Sequence, residues 1–167
     1  MSQITLNGET INTVGQLPGA GDSPPDFILT KTDLSDISLK DLAGKKVVLN
    51  IFPSVDTPVC SASARKFNSE ITAFENSVVL CVSLDLPFAH ARFCEAEGLE
   101  NVIPVSELRN RDFGEKYGVR IENGPLAGLL ARAVVIIDET GKVVYSQLVG
   151  EIKDEPDYEA ALNVLKS

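Results

Sequence analysis

A chain of 167 residues, 44% of them hydrophobic, is long enough for one domain that buries a substantial core without disulfide staples. No apolar run approaches membrane-spanning length, and the start Met1-Ser2-Gln3-Ile4-Thr5 lacks a basic stretch leading into an apolar one, so a cytoplasmic protein is expected. The net charge of -9 argues against nucleic acid as a partner, because phosphate backbones reward basic surfaces.

Ile4-Thr5-Leu6 and Thr10 to Val14 alternate across Asn7-Gly8, which predicts an N-terminal β-hairpin over residues 1–14. Gly15 to Pro25 is rich in Gly and Pro and reads as a loop leading to a strand at Phe27 to Thr30. Thr32 to Leu42 follows as a short strand or turn and a helical turn. Strand and helix then alternate. Val47 to Phe52 is a buried strand, Pro58 to Phe74 a helix, Val78 to Leu84 a strand, and Phe88 to Ala96 a helix closed by Gly98. Val102 to Val105 is a short strand, Asp112 to Tyr117 a helix, Ala133 to Asp138 and Lys142 to Gln147 a strand pair, and Asp157 to Leu165 a closing helix. Such an order predicts an α/β fold, a central mixed sheet with helices on both faces, in a single domain over residues 1–167.

Pro53-Ser54-Val55-Asp56-Thr57-Pro58-Val59-Cys60 stands at the turn from the first buried strand into the first long helix. Pro58 suits the first helical position, with Thr57 as the cap and Cys60 in the first turn. Unpaired N–H groups and the positive end of the helix dipole favour an anion there, hence the thiolate, which is the nucleophilic form. A small buried hydrophobe is the competing reading of Cys60, and position alone leaves the two open. The three cysteines, Cys60, Cys81 and Cys94, with the single His90, form no familiar zinc set, and an odd count in a reducing compartment argues against a structural disulfide framework. No cofactor or metal is expected. Cys81, inside Val78 to Val82, reads as core, and His90 as a surface residue of its helix.

Pro53, Thr57 and Cys60 reproduce the spacing Pro-x-x-x-Thr-x-x-Cys and resemble the peroxiredoxins. Leu49 to Cys60 with Arg65 to Asn68, Ser83 to Ala89 with Arg92-Phe93-Cys94, Gly124-Pro125-Leu126 with Ala131 to Val134, and Glu155 to Tyr158 are similar, in order, to the bacterial thiol peroxidase subfamily. That resemblance implies a thioredoxin-like fold and an atypical two-cysteine peroxidase that reduces hydrogen peroxide and alkyl hydroperoxides. It casts Cys60 as the peroxidatic cysteine, oxidised to a sulfenic acid, and Cys94 as the resolving cysteine that closes a Cys60–Cys94 disulfide. It also implies that Thr57 offers its hydroxyl to sulfur or peroxide, that Pro53 shields the thiolate, and that Arg132 supplies a fixed cation and planar donors.

Because a disulfide needs Cα atoms within about 7 Å, cysteines on two helices are expected to join only after local unfolding of both segments. Asp56 is expected to point away from the sulfur, and Phe27, Phe88 and Phe93 are candidates for an apolar mouth, with plain core the commoner role of aromatic residues so spaced. The chain has no Cys-x-x-Cys of its own, so a partner must reopen the disulfide. The resemblance implies thioredoxin for that step, and a homodimer with loops near Pro58 and Gly124-Pro125-Leu126 at its interface. A redox sensor and a binding module of thioredoxin fold are the rival readings, separated from a peroxidase by turnover.

Overall fold

The computed structural model describes residues 1–166. The hairpin is formed by β1 (Gln3–Leu6) and β2 (Glu9–Asn12), antiparallel, with Ile4 opposite Ile11. Asn7 and Gly8 take positive φ, 54° and 83°, as a two-residue mirror-image turn requires. After the Gly- and Pro-containing loop come β3 (Ile28–Lys31), β4 (Asp36–Ser38) and a 3-10 turn at Leu39–Leu42. The alternating part consists of β5 (Lys46–Ile51), α1 (Pro58–Glu70), β6 (Ser77–Ser83), α2 (Pro87–Glu97) and β7 (Ile103–Ser106). It is followed by α3 (Asp112–Lys116), β8 (Ala133–Ile137), β9 (Val143–Leu148) and α4 (Tyr158–Leu165).

The first long helix is shorter than the sequence predicts. α1 ends at Glu70 and Ile71–Ala73 tightens into a 3-10 turn. Ser69 and Thr72 donate their hydroxyls to carbonyls three residues back, at 3.0 and 3.3 Å, the local competition that disfavours these residues inside helices.

The main sheet has the order β4-β3-β7-β6-β5-β8-β9. β5, β6 and β7 run parallel, and the other pairings are antiparallel. Both parallel connections step in the same direction across the sheet, so right-handed crossovers put α1 and α2 on one face. Strand alternation divides the core accordingly. Val48, Phe52, Val134 and Ile136 join Ala64 and Phe67 of α1 and Ala161 and Leu165 of α4, with Phe93 and Cys94 of α2 packed against them. Val47, Leu49, Ile51, Val135 and Ile137 face the other way, onto the hairpin residues Ile4 and Ile11 and onto Phe27, Phe113 and Tyr117. Helices thus cover both faces of a mixed sheet, as the sequence predicts.

Candidate active site

The site forms where β5 ends. The last register pair of β5 and β8 is Ile51 with Ala133, so Arg132, one residue before β8, arrives beside the chain leaving β5 through Phe52 and Pro53. Its side chain is only 2% exposed. Nε donates to the Ile152 carbonyl at 2.8 Å, while Nη1 is buried without a hydrogen-bond partner. Among the described residues no carboxylate forms an ion pair with it. A buried guanidinium so placed strongly favours an incoming anion or lone pair.

Arg132 lines a cavity of about 440 Å³ together with Pro53, Thr57, Pro58 and Val59 of the strand-to-helix turn. Leu6, Leu126 and Ile152 supply its apolar wall, and Lys153 a second cation. Cys60, the third residue of α1, is fully buried directly behind Pro58 and Val59, and its carbonyl accepts the Ser63 hydroxyl at 2.9 Å. The structure therefore gathers Pro53, Thr57 and Arg132 around one cavity and sets Cys60 just inside the helix that borders it.

Thr57 is the N-cap of α1 by backbone, with φ -101° and ψ 145°, but the expected side-chain cap is not made. Residues 54–57 close a turn, Thr57 N–H donating to the Ser54 carbonyl at 3.2 Å, and the hydroxyl donates to that same carbonyl at 2.9 Å. Its oxygen lone pairs are consequently not used by the helix. Asp56 is largely exposed and pairs with Arg92 at 3.4 Å, a solvated contact of small energetic value.

Cys94 lies on α2, half-buried, and burial raises its thiol pKa above the ordinary value. Cys60, Cys81 and Cys94 are all free thiols. Cys81 points from β6 into the same core face; burial pushes it up to about 12, against the opposing effect of the Asn50 amide. Among the described residues no three His, Cys, Asp or Glu side chains converge as a metal-ligand set would.

Two expectations are corrected. His90 is not a surface residue: it is 1% exposed, with Nε2 3.0 Å from the Ser83 hydroxyl. Ser83 ends β6 on the helix-bearing side, giving the ring a polar partner that lets α2 bury it. Burial pushes its pKa down to about 4, opposed by the nearby Asp85 carboxylate. The aromatic mouth is not formed either. Phe27 packs on the opposite face of the sheet, 5.9 Å from Phe113 and 6.4 Å from Tyr117; Phe88 is exposed and Phe93 is half-buried in the helix-side core. The aliphatic side chains of Leu6, Leu126 and Ile152 take that place. One signal for them is Gly124-Pro125: Gly124 has φ +82°, and a Cβ there would come within 2.9 Å of Ile11, so glycine lets this loop lie on the hairpin and deliver Leu126.

The family model for Redoxin matches residues 19–162. Thiol peroxidases of Mycobacterium bovis and Corynebacterium glutamicum are 59% and 54% identical to the chain over 165 residues, in each case 99% of both proteins. Among solved structures, a peroxiredoxin-like protein from Aquifex aeolicus superposes with a TM-score of 0.94 at 42% identity, covering 99% of this chain and 96% of the other. With this likeness along its length, the chain belongs to the Redoxin family, and within it to the thiol peroxidases among the peroxiredoxins, enzymes that reduce peroxides.

Proposed function

We propose that Cys60 is the peroxidatic cysteine of a thioredoxin-dependent peroxidase acting on hydrogen peroxide and alkyl hydroperoxides, in antioxidant defence and redox homeostasis of the cytoplasm. The observation that carries this reading is Arg132: a buried guanidinium with a free Nη1, lining one cavity with Pro53 and Thr57 beside the helix start that holds Cys60. The Cys60 thiolate attacks the terminal oxygen of the hydroperoxide. An S–O bond forms as the O–O bond breaks, and the departing oxygen, stabilised by Arg132, takes a proton and leaves as water or alcohol. Thr57 accepts the hydroperoxide O–H at its unused lone pairs, and Pro53 keeps water from the sulfur. The aliphatic wall of Leu6, Leu126 and Ile152 suits an alkyl substituent.

Cys94 then attacks the sulfenic sulfur, giving the Cys60–Cys94 disulfide and water. The cysteines stand on separate helices, so this step requires local opening of α1's first turn and of α2. Thioredoxin returns two electrons and two protons through its own dithiol, and the chain acts as a homodimer with the loops near Pro58 and Gly124 at the interface. Residues 1–167 act as a single domain; the hairpin backbone bonds between Thr5 and residues 150 and 152, at 2.8 and 2.9 Å, support including residues 1–14 in it.

The test is the intact mass of reduced protein after one equivalent of cumene hydroperoxide, for wild type, Cys60→Ser and Cys94→Ser. Loss of two hydrogens, no change, and gain of one oxygen are the respective expectations. A Cys60→Ser variant that reacts as fast as wild type overturns the assignment.

A further inference from the structure

The loop between β5 and α1 is held from β6 rather than by a cap on α1. Asp85, two residues beyond the end of β6, accepts the Ser54 hydroxyl at 2.8 Å and the Val55 N–H at 2.9 Å, and its carboxylate also accepts the Ser83 hydroxyl at 2.5 Å. Ser54 in turn governs Thr57, because its carbonyl accepts both the Thr57 hydroxyl and the Thr57 N–H. On the other side, Ser83 Oγ accepts the Asp85 N–H at 3.1 Å and stands 3.0 Å from His90 Nε2. A hydroxyl carries one proton; with Ser83 directing its own to the carboxylate, His90 closes the contact as donor in the tautomer that carries its hydrogen on Nε2. A continuous path therefore runs from the loop beside the cavity, through Asp85 and Ser83, to the side chain one helical turn before Cys94 on α2.

We infer that Asp85 is a positioning residue for the peroxide step, and that the Ser83–His90 contact couples its hold on the Ser54–Thr57 turn to the seating of α2. The inference rests on the roles proposed above for Cys60 and Cys94. Attack on the peroxide needs Thr57, Pro53 and Cys60 fixed to a fraction of an ångström. Disulfide closure needs the same turn and α2 released. One latch thus favours the first step and opposes the second. A residue that mattered only for general stability would affect both steps in the same sense.

The experiment uses the full chain, wild type, Asp85→Asn and Ser83→Ala. There is no tryptophan to report the reaction, so quenched-flow samples are treated with dimedone and the thiol, sulfenic and disulfide forms are counted by mass. For Asp85→Asn we expect consumption of cumene hydroperoxide to slow about 10- to 100-fold, while the sulfenic acid closes to the disulfide at least as fast as in wild type. For Ser83→Ala the expected change is a sulfenic lifetime shortened about threefold or more, since the coupling to α2 is of ordinary hydrogen-bond size. An Asp85→Asn protein with an unchanged peroxide step, or with both steps slowed in proportion, overturns the positioning role. An unchanged sulfenic lifetime in Ser83→Ala overturns the coupling, and does so even if Asp85→Asn does not fold. Wild type that forms no Cys60–Cys94 bridge overturns the cysteine assignment instead.

Discussion

The two helices that carry cysteines are held by different forces. α1 buries Cys60, Ser63, Ala64 and Phe67 along one stripe, and Phe67 meets Tyr158 of α4 edge-on at 5.6 Å between ring centres. α2 fully buries only Pro87 and His90, leaving Phe93 and Cys94 half-covered and Phe88 exposed. One helix is fixed by apolar burial over several turns; the other is held by the partial burial of Phe93 and Cys94 and by the polar contacts of the buried His90 ring to the sheet. Segments with few buried apolar contacts open first. Under the proposed chemistry this asymmetry matches the division of labour: the attacking sulfur is held for encounter with peroxide, and the resolving sulfur sits on the element that can leave its place.

The sharpest break between the two concerns turnover. Cys60→Ser lowers peroxide consumption in a thioredoxin-coupled assay by about a thousandfold or more, whereas Cys94→Ser completes one round and stops at the sulfenic acid. Equal residual rates in the two variants would erase the distinction.

Stability comes next. Phe67→Ala costs about 3 to 4 kcal/mol in urea unfolding, the value for a fully buried aromatic, while Phe93→Ala costs about 1 kcal/mol, in proportion to its partial burial. Comparable losses would mean that α2 is fixed as firmly as α1.

A smaller effect is tied to pH. Burial holds His90 neutral, lowering its pKa from 6.5 to about 4, and opening α2 restores the higher value. Between these values the open helix binds the proton more tightly, so the stability that His90 lends to α2 is complete above about pH 6.5 and is lost as pH falls toward 4. The slope is about 1 kcal/mol per pH unit within that window. Amide exchange in residues 87–97 should accelerate accordingly in the reduced protein and flatten in His90→Gln; protection that ignores pH in wild type would show the ring stays buried on opening. The smallest effect belongs to Cys81→Ser, which should leave turnover within about twofold because its thiol faces the core between the helices and the sheet. A larger loss of rate would give Cys81 a part in the redox exchange.

Much of this was legible from residue order. The apolar runs Val47 to Phe52 and Ala133 to Asp138, the Asn7-Gly8 turn and the Pro58 helix start each follow local rules, and each appears within a residue or so of where those rules put it. His90 and Phe27 were misplaced for a shared reason: which face a side chain takes depends on neighbours far along the chain. His90 is buried because Ser83 offers it a hydroxyl, and Phe27 turns toward Phe113 and Tyr117. Thr57 carried a strong capping pattern, yet a turn with Ser54 claimed its hydroxyl. Of the aliphatic wall only Leu126 carried a local signal, the Gly124-Pro125 turn before it; Leu6 and Ile152 come from distant segments and share no spacing with it.

The clasp between Thr5 and residues 150–152 orders events during synthesis. Thr5 donates its N–H to Gly150 and accepts from Ile152, and the Ile152 carbonyl also receives Arg132 Nε. On a ribosome, Cys60 emerges long before any of these partners. A nascent chain leaves Arg132 without its Ile152 partner until residue 152 has cleared the exit tunnel, so the cavity that Arg132 lines with Pro53 and Thr57 is completed late, once every strand of the main sheet has been made.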